Sequence, residues 1–95
     1  MRGDYKTVGG KLVTVDFELQ DGRLRNVQVS GDFFLYPEEA LADIRGALEG
    51  LPESASPGEI VRRIEESLAP DTALVGFSPE AVALAVERGL GRDNG

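Results

Sequence analysis

The chain has 95 residues, with 17 acidic side chains against 10 basic ones and a formal net charge of −7; this length allows one modest core, and the acidic balance disfavours nucleic acid and anionic membrane surfaces as partners. Cysteine and histidine are both missing, which excludes disulfides, thiolate nucleophiles, zinc clusters and imidazole bases. No run approaches the roughly 20 apolar residues of a membrane span and the first residues lack the apolar stretch of a signal peptide, so a cytoplasmic protein is expected.

The first clear element is a strand over 13–19, where Val13, Val15, Phe17 and Leu19 alternate with Thr14, Asp16 and Glu18. A second strand follows the Asp21-Gly22 turn, with Val27, Val29 and Phe33 on its apolar face. A two-residue loop would pair Leu19 with Leu24 but set Val27 opposite Asp16, on the polar side. A three-residue loop of Gln20-Asp21-Gly22 brings Val15 opposite Val27 and Val13 opposite Val29, so the longer loop is predicted, with Gly22 left-handed in a bulged turn.

Three helices follow. The first is expected over 37–49, opened by Pro37 with Glu38 and Glu39 in its first turn, carrying Leu41, Ile44 and Leu48, and stopped by Gly50. Ser56-Pro57-Gly58-Glu59 has the spacing of a capping box and starts a second helix with Ile60, Val61, Ile64 and Leu68 on one stripe, ending before Pro70. Ser78-Pro79-Glu80 repeats the start signal for a third, striped by Val82, Ala85, Val86 and Leu90. Residues 72–75 read as a short strand or a loop packing Leu74, and 91–95 as a frayed tail.

This order predicts an α+β fold, a two-layer single domain over 1–95 with a small antiparallel sheet covered by three helices. A bare hairpin is marginal, so a third strand is expected from 5–8, from 72–75 or from a partner chain.

Two segments stand out as candidates for function. Gly9-Gly10-Lys11 precedes the first strand, either as a flexible lead-in or as amides and an ammonium group that approach an anion; it lacks the spacing and following helix of a phosphate loop. Gly31-Asp32-Phe33-Phe34 leads through Leu35 to Tyr36, and four large apolar side chains in a row cannot all face one side of a small sheet. Phe34 or Tyr36 is therefore a candidate for an interaction patch, the alternative being that the group caps the sheet end. Asp16 with Glu18, and Glu65 with Glu66, read as solvated surface rather than acid/base pairs.

Taken in order, Gly9-Gly10-Lys11-Leu12-Val13, Asp21-Gly22-Arg23-Leu24, Gly31-Asp32-Phe33-Phe34 with Pro37 behind it, Leu48-Glu49-Gly50-Leu51 and Gly76-Phe77-Ser78-Pro79-Glu80 resemble the accessory domain of lipoate-protein ligases. The likeness covers nearly the whole chain, and its weight lies in the ordered set rather than in any one motif. The resemblance implies a non-catalytic module: a large catalytic domain binds lipoate, ATP and magnesium, forms lipoyl-adenylate, and passes lipoate to a lysine of a carrier domain. A chain opening at Met1 with 95 residues has no room for that domain, so the separate-chain form is expected, paired with a catalytic chain as a heterodimer and binding no cofactor alone. The family's catalytic lysine has no counterpart here.

The fold so implied is akin to that of iron-sulfur assembly scaffolds, but sulfur transfer is excluded in a chain without cysteine. The candidate partner-binding residues are Gly9, Gly10, Lys11, Leu12, Gly31, Asp32, Phe33, Phe34 and Tyr36, expected side by side at one end of the hairpin. An acidic adaptor, or a small-molecule module with an unrelated partner, is the alternative function.

Overall fold

The computed structural model describes residues 1–7 and 9–92. Five strands and three helices follow one another as β1 (Arg2–Lys6), β2 (Leu12–Gln20), β3 (Arg23–Gly31), β4 (Phe34–Tyr36), α1 (Ala40–Leu48), α2 (Pro57–Ser67), β5 (Ala73–Val75) and α3 (Pro79–Gly89). The result is the expected α+β class, with β1, β2 and β3 in one antiparallel sheet and β4 and β5 in a second.

The β2–β3 hairpin turns differently from the expectation. Leu19 faces Leu24 and Gln20 faces Arg23, so the loop has two residues, Asp21 and Gly22, both left-handed at φ 55° and 75°. This is the primed turn whose twist suits a hairpin. The parity conflict that argued for a longer loop is resolved four residues later instead. Between the pairs Glu18–Arg25 and Asp16–Gln28 the register shifts, so that Asn26 and Val27 oppose Phe17 alone, with Asn26 left-handed at φ 54°. The bulge returns Val27 and Val29 to the core side; Val15 consequently faces Val29 rather than Val27, and Val13 faces Gly31 rather than Val29. The Glu49 carboxylate holds the bulge by accepting the Asn26 and Val27 amides at 3.0 and 3.1 Å. An added Cβ on Gly22 meets only Glu53 Oε1, at 3.8 Å, so the cost of Gly22→Val is conformational. We expect the variant to lose about 1–2 kcal/mol in urea unfolding, and a stability equal to the parent would show that another turn geometry serves as well.

The third strand comes from the N-terminus. β1 pairs with β2 from Arg2 opposite Asp16 to Lys6 opposite Leu12, so it starts upstream of the expected 5–8 stretch; Val8 lies outside the described residues. Residues 73–75 do form a strand, but in the second sheet, opposite β4. No partner chain is needed to bring the first sheet to three strands.

The helix boundaries mostly follow the capping signals. Ser56 Oγ accepts the Glu59 amide and Ser78 Oγ accepts the Ala81 amide, each at 3.2 Å, so both serine caps are made. The first helix starts later than expected. Pro37 follows a cis peptide bond and lies in a tight turn whose carbonyl accepts the Ala40 amide at 3.0 Å, with Glu39 as the residue before the helix.

Helix α3 packs on β1 and β2, α2 bridges α3 and α1, and α1 packs on β3. The core joins Val13, Val15, Phe17, Leu24, Val27 and Val29 of the sheet to Ile44, Leu48, Ile60, Ile64, Val82 and Val86 of the helices. Beyond α3, the tail expected over 91–95 lies outside the described residues from 93 onward. Arg92 is described, and it pairs with both oxygens of the buried Glu87 at 2.9 Å while donating to the carbonyls of Ala55 and Glu53. No described helix is long and apolar enough to cross a membrane.

Candidate functional site

The two candidate segments meet at the end of the hairpin remote from its turn. Val13 pairs with Gly31, and one residue further on the Leu12 amide donates to Asp32 Oδ1 at 2.8 Å. Asp32 thus replaces a backbone acceptor where the ladder runs out. Gly31 has no room for a side chain, because a Cβ there would stand 2.1 Å from the Leu12 carbonyl oxygen. Gly9 is left-handed at φ 66°, and the Gly10 amide closes the turn on the Thr7 carbonyl at 2.9 Å.

A third segment completes the corner. The Gly76 carbonyl accepts both the Lys11 amide and the Thr7 hydroxyl at 3.2 Å, and the Lys11 stem lies so close over Gly76 that a Cβ would come within 2.5 Å of it. Neither Thr7 nor Gly76 is among the residues expected from the sequence. Gly76-Phe77 entered only as part of the ordered motifs, and its contact with Lys11 spans too much chain to be read from local pattern.

The run of apolar residues from 33 to 36 divides as its length requires. Phe33 turns inward and stacks on Phe77 with ring centroids 4.0 Å apart and planes inclined by 29°. Leu35 is buried, whereas Phe34 and Tyr36 on the other face of β4 are 58% and 59% exposed. Val75, paired with Phe34 across the two strands, and Leu12 at the same end are also exposed. A cleft of about 520 Å³ runs beside these aromatics, lined by Val29, Ser30 and Gly31 on one side and by Phe34, Tyr36, Glu38 and Leu41 on the other. Large exposed apolar side chains gathered around a concavity are the ordinary makings of an interaction surface.

Of the carboxylates read as surface, Glu65 and Glu66 are exposed on α2, and Asp16 and Glu18 have partners on the sheet. Asp16 pairs with Arg2 at 2.7 Å, and that hydrogen bond, aided by the charge of Asp16, raises the pKa of the guanidinium. Glu18 accepts from the Asn26 side chain across the bulge. Among the described residues no group of three or more His, Cys, Asp or Glu side chains is placed to hold a metal ion. What the corner offers is backbone hydrogen bonding, apolar contact and a few charges.

No protein-family model matches the sequence, and no curated protein matches it. Among solved structures, the chain is similar to one from an archaeal lipoylation system, described as a bi-partite lipoate protein ligase and its E2 lipoyl domain from Thermoplasma acidophilum. The two superpose with a TM-score of 0.72 over 90% of this chain and 92% of that one, at 24% identity, so the α+β fold is common to both along nearly their whole length.

Proposed function

We propose that this chain is the accessory subunit of a two-chain lipoate-protein ligase, acting in the cytoplasm as a heterodimer with a separate catalytic chain and carrying no catalytic group itself. The observation that carries the reading is the end-to-end fold likeness to a chain from a bi-partite ligase system. The ordered motifs support it independently, and three of them, those around Gly9, Gly31 and Gly76, meet at one corner. On this reading ATP, magnesium and lipoate bind the catalytic chain, and lipoyl carrier domains are served through it. The corner formed by Gly9, Gly10, Lys11 and Leu12 with Gly31, Asp32, Phe33, Phe34 and Tyr36 docks on the catalytic chain and favours the conformation of its ligand loops that is competent for lipoyl-adenylate formation. Such coupling requires only that this chain bind the competent state better than the idle one.

The test is lipoate-dependent ATP-pyrophosphate exchange by a lipoate-ligase catalytic chain from the same genome, with and without this protein. We expect exchange to rise by about 10-fold or more on addition, the effect of ~1.4 kcal/mol of coupling. The Lys11→Ala/Asp32→Ala/Phe34→Ala variant should lose most of that gain. Exchange by the catalytic chain alone, indifferent to this protein, would return the function to an acidic adaptor of another partner.

A further inference from the structure

Backbone pairing fixes which amides of β3 point out of the sheet. Met1 and Phe17 exchange both of their backbone hydrogen bonds, at 2.6 and 2.8 Å, so Phe17, Val15 and Val13 bond toward β1 while Asp16 and Thr14 bond toward β3. Their partners Gln28 and Ser30 therefore bond inward, and the amides of Val29 and Gly31 and the Val29 carbonyl face the outer edge.

That edge is closed along half its length. Leu24 exchanges bonds with Leu51 and Gly50 at 2.9 and 2.7 Å, and Glu49 takes the amides of Asn26 and Val27. From Val29 onward no described residue supplies a backbone or side-chain partner on the outer side. Instead the 520 Å³ cleft opens there, and a second depression of about 320 Å³ adjoins it along residues 26–28, walled by α1. An unpaired edge beside a trough is a template for another strand. The open stretch runs from Val29 to Gly31, enough for a short extended segment about 10 Å long.

We propose that an extended segment of the catalytic chain adds to this edge as a fourth strand, with apolar side chains against Phe34, Tyr36 and Leu41 and a lysine or arginine against Glu38. The proposal rests on the accessory-subunit reading. Three observations favour this occupant. Glu38 is the one carboxylate lining the larger depression among the described residues, in a chain of net charge −7, so a basic residue complements it. In the smaller depression the Arg45 guanidinium reaches only Gln28 Oε1, at 3.5 Å, which leaves its Nη groups able to donate to the carbonyl oxygens of an incoming backbone. A second copy of this chain would set −7 against −7 with Glu38 on both sides, which disfavours self-pairing.

The experiment uses the complex with the catalytic chain. Residue-resolved amide hydrogen exchange should slow by about 100-fold at Val29 and Gly31 on binding. Phe34→Ala/Tyr36→Ala should raise the Kd by about 30-fold. Glu38→Lys should raise it by about 10-fold, less at high salt. A complex that forms and stimulates adenylation while the Val29 and Gly31 amides exchange as in the free chain overturns strand addition and leaves the accessory role standing; so does an unchanged Kd in the aromatic double variant. Failure to form any complex overturns both.

Discussion

Gly3→Val is expected to cost the fold about 3 kcal/mol and to lower its thermal midpoint by about 12–24 °C. The reason lies in how β1 meets α3. A Cβ on Gly3 would stand 1.7 Å from the Ala85 carbonyl oxygen and 2.4 Å from the Gly89 amide nitrogen, both backbone atoms that no rotamer change can move. Gly89 is equally confined from the other side, with the Phe17 ring 2.7 Å from where its Cβ would be. Strand and helix thus approach glycine to glycine, and this close seat lets Phe17 and Val86 share one core. A side chain at position 3 must push α3 away from the sheet or pull β1 out of it. Either movement also strains the neighbouring Arg88 contacts, in which Nη1 donates to the Asp4 carbonyl at 3.0 Å and the guanidinium lies 5.1 Å over the Tyr5 ring. Out of the roughly 5–15 kcal/mol that holds a domain of this size, 3 kcal/mol is a large fraction. Differential scanning calorimetry of the variant checks it. A midpoint within about 4 °C of the parent, equivalent to ~1 kcal/mol, would mean that the contact between β1 and α3 is slack.

The same glycine explains why β1 was legible only as one of three possible third strands, and with a start at position 5 rather than 2. A strand is recognised by alternating large apolar residues, and here the inward positions are Gly3, which must be small for α3 to approach, and Tyr5, half-buried under Arg88. Helices α2 and α3 were legible because Ser56 and Ser78 announce their starts and the stripes behind them keep a helical period. For the hairpin, the evidence of a phase change was correct and its location was not. Leu24 and Val27 must both face the core although their positions differ by an odd number, and an extra residue has to be absorbed somewhere. Asparagine at position 26, able to take a left-handed conformation, was the local sign that the absorption occurs inside β3.

The candidate corner was partly legible for the same reason. Antiparallel pairing brings the start of β2 to the end of β3, whatever the loop length, so the meeting of Gly9-Gly10-Lys11-Leu12 with Gly31-Asp32-Phe33-Phe34 survived a two-residue error in register. The alternation over Phe33, Phe34, Leu35 and Tyr36 likewise forced some aromatics outward. Gly76 could not be foreseen, since its carbonyl meets Thr7 across 69 residues of chain. Nor could the open edge at Val29, which depends on where the loop after α1 stops covering β3.

Gly31→Ala tests whether that corner works as one piece. The added Cβ would lie 2.1 Å from the Leu12 carbonyl oxygen and 2.8 Å from two atoms of the Phe33 ring, so relief requires the ends of β2 and β3 to part. Parting them lengthens the 2.8 Å bond from the Leu12 amide to Asp32 and shifts Phe33 from its stack on Phe77. We expect a cost of about 2 kcal/mol and a midpoint lower by about 8–16 °C, together with faster amide exchange at Leu12. Because Val29 and the aromatics of β4 lie on either side of Gly31, binding to the catalytic chain should weaken by about 10-fold or more even at temperatures where the variant is fully folded. Asp32→Asn is the control for the fold: its side-chain oxygen still accepts the Leu12 amide, so the midpoint should remain near the parent's. A Gly31→Ala chain with parent-like stability and unchanged protection at Leu12 would show that the end of β3 yields without cost. The two glycine-led segments would then be neighbours by topology alone, and the docking surface would have to be sought in β4 and α1.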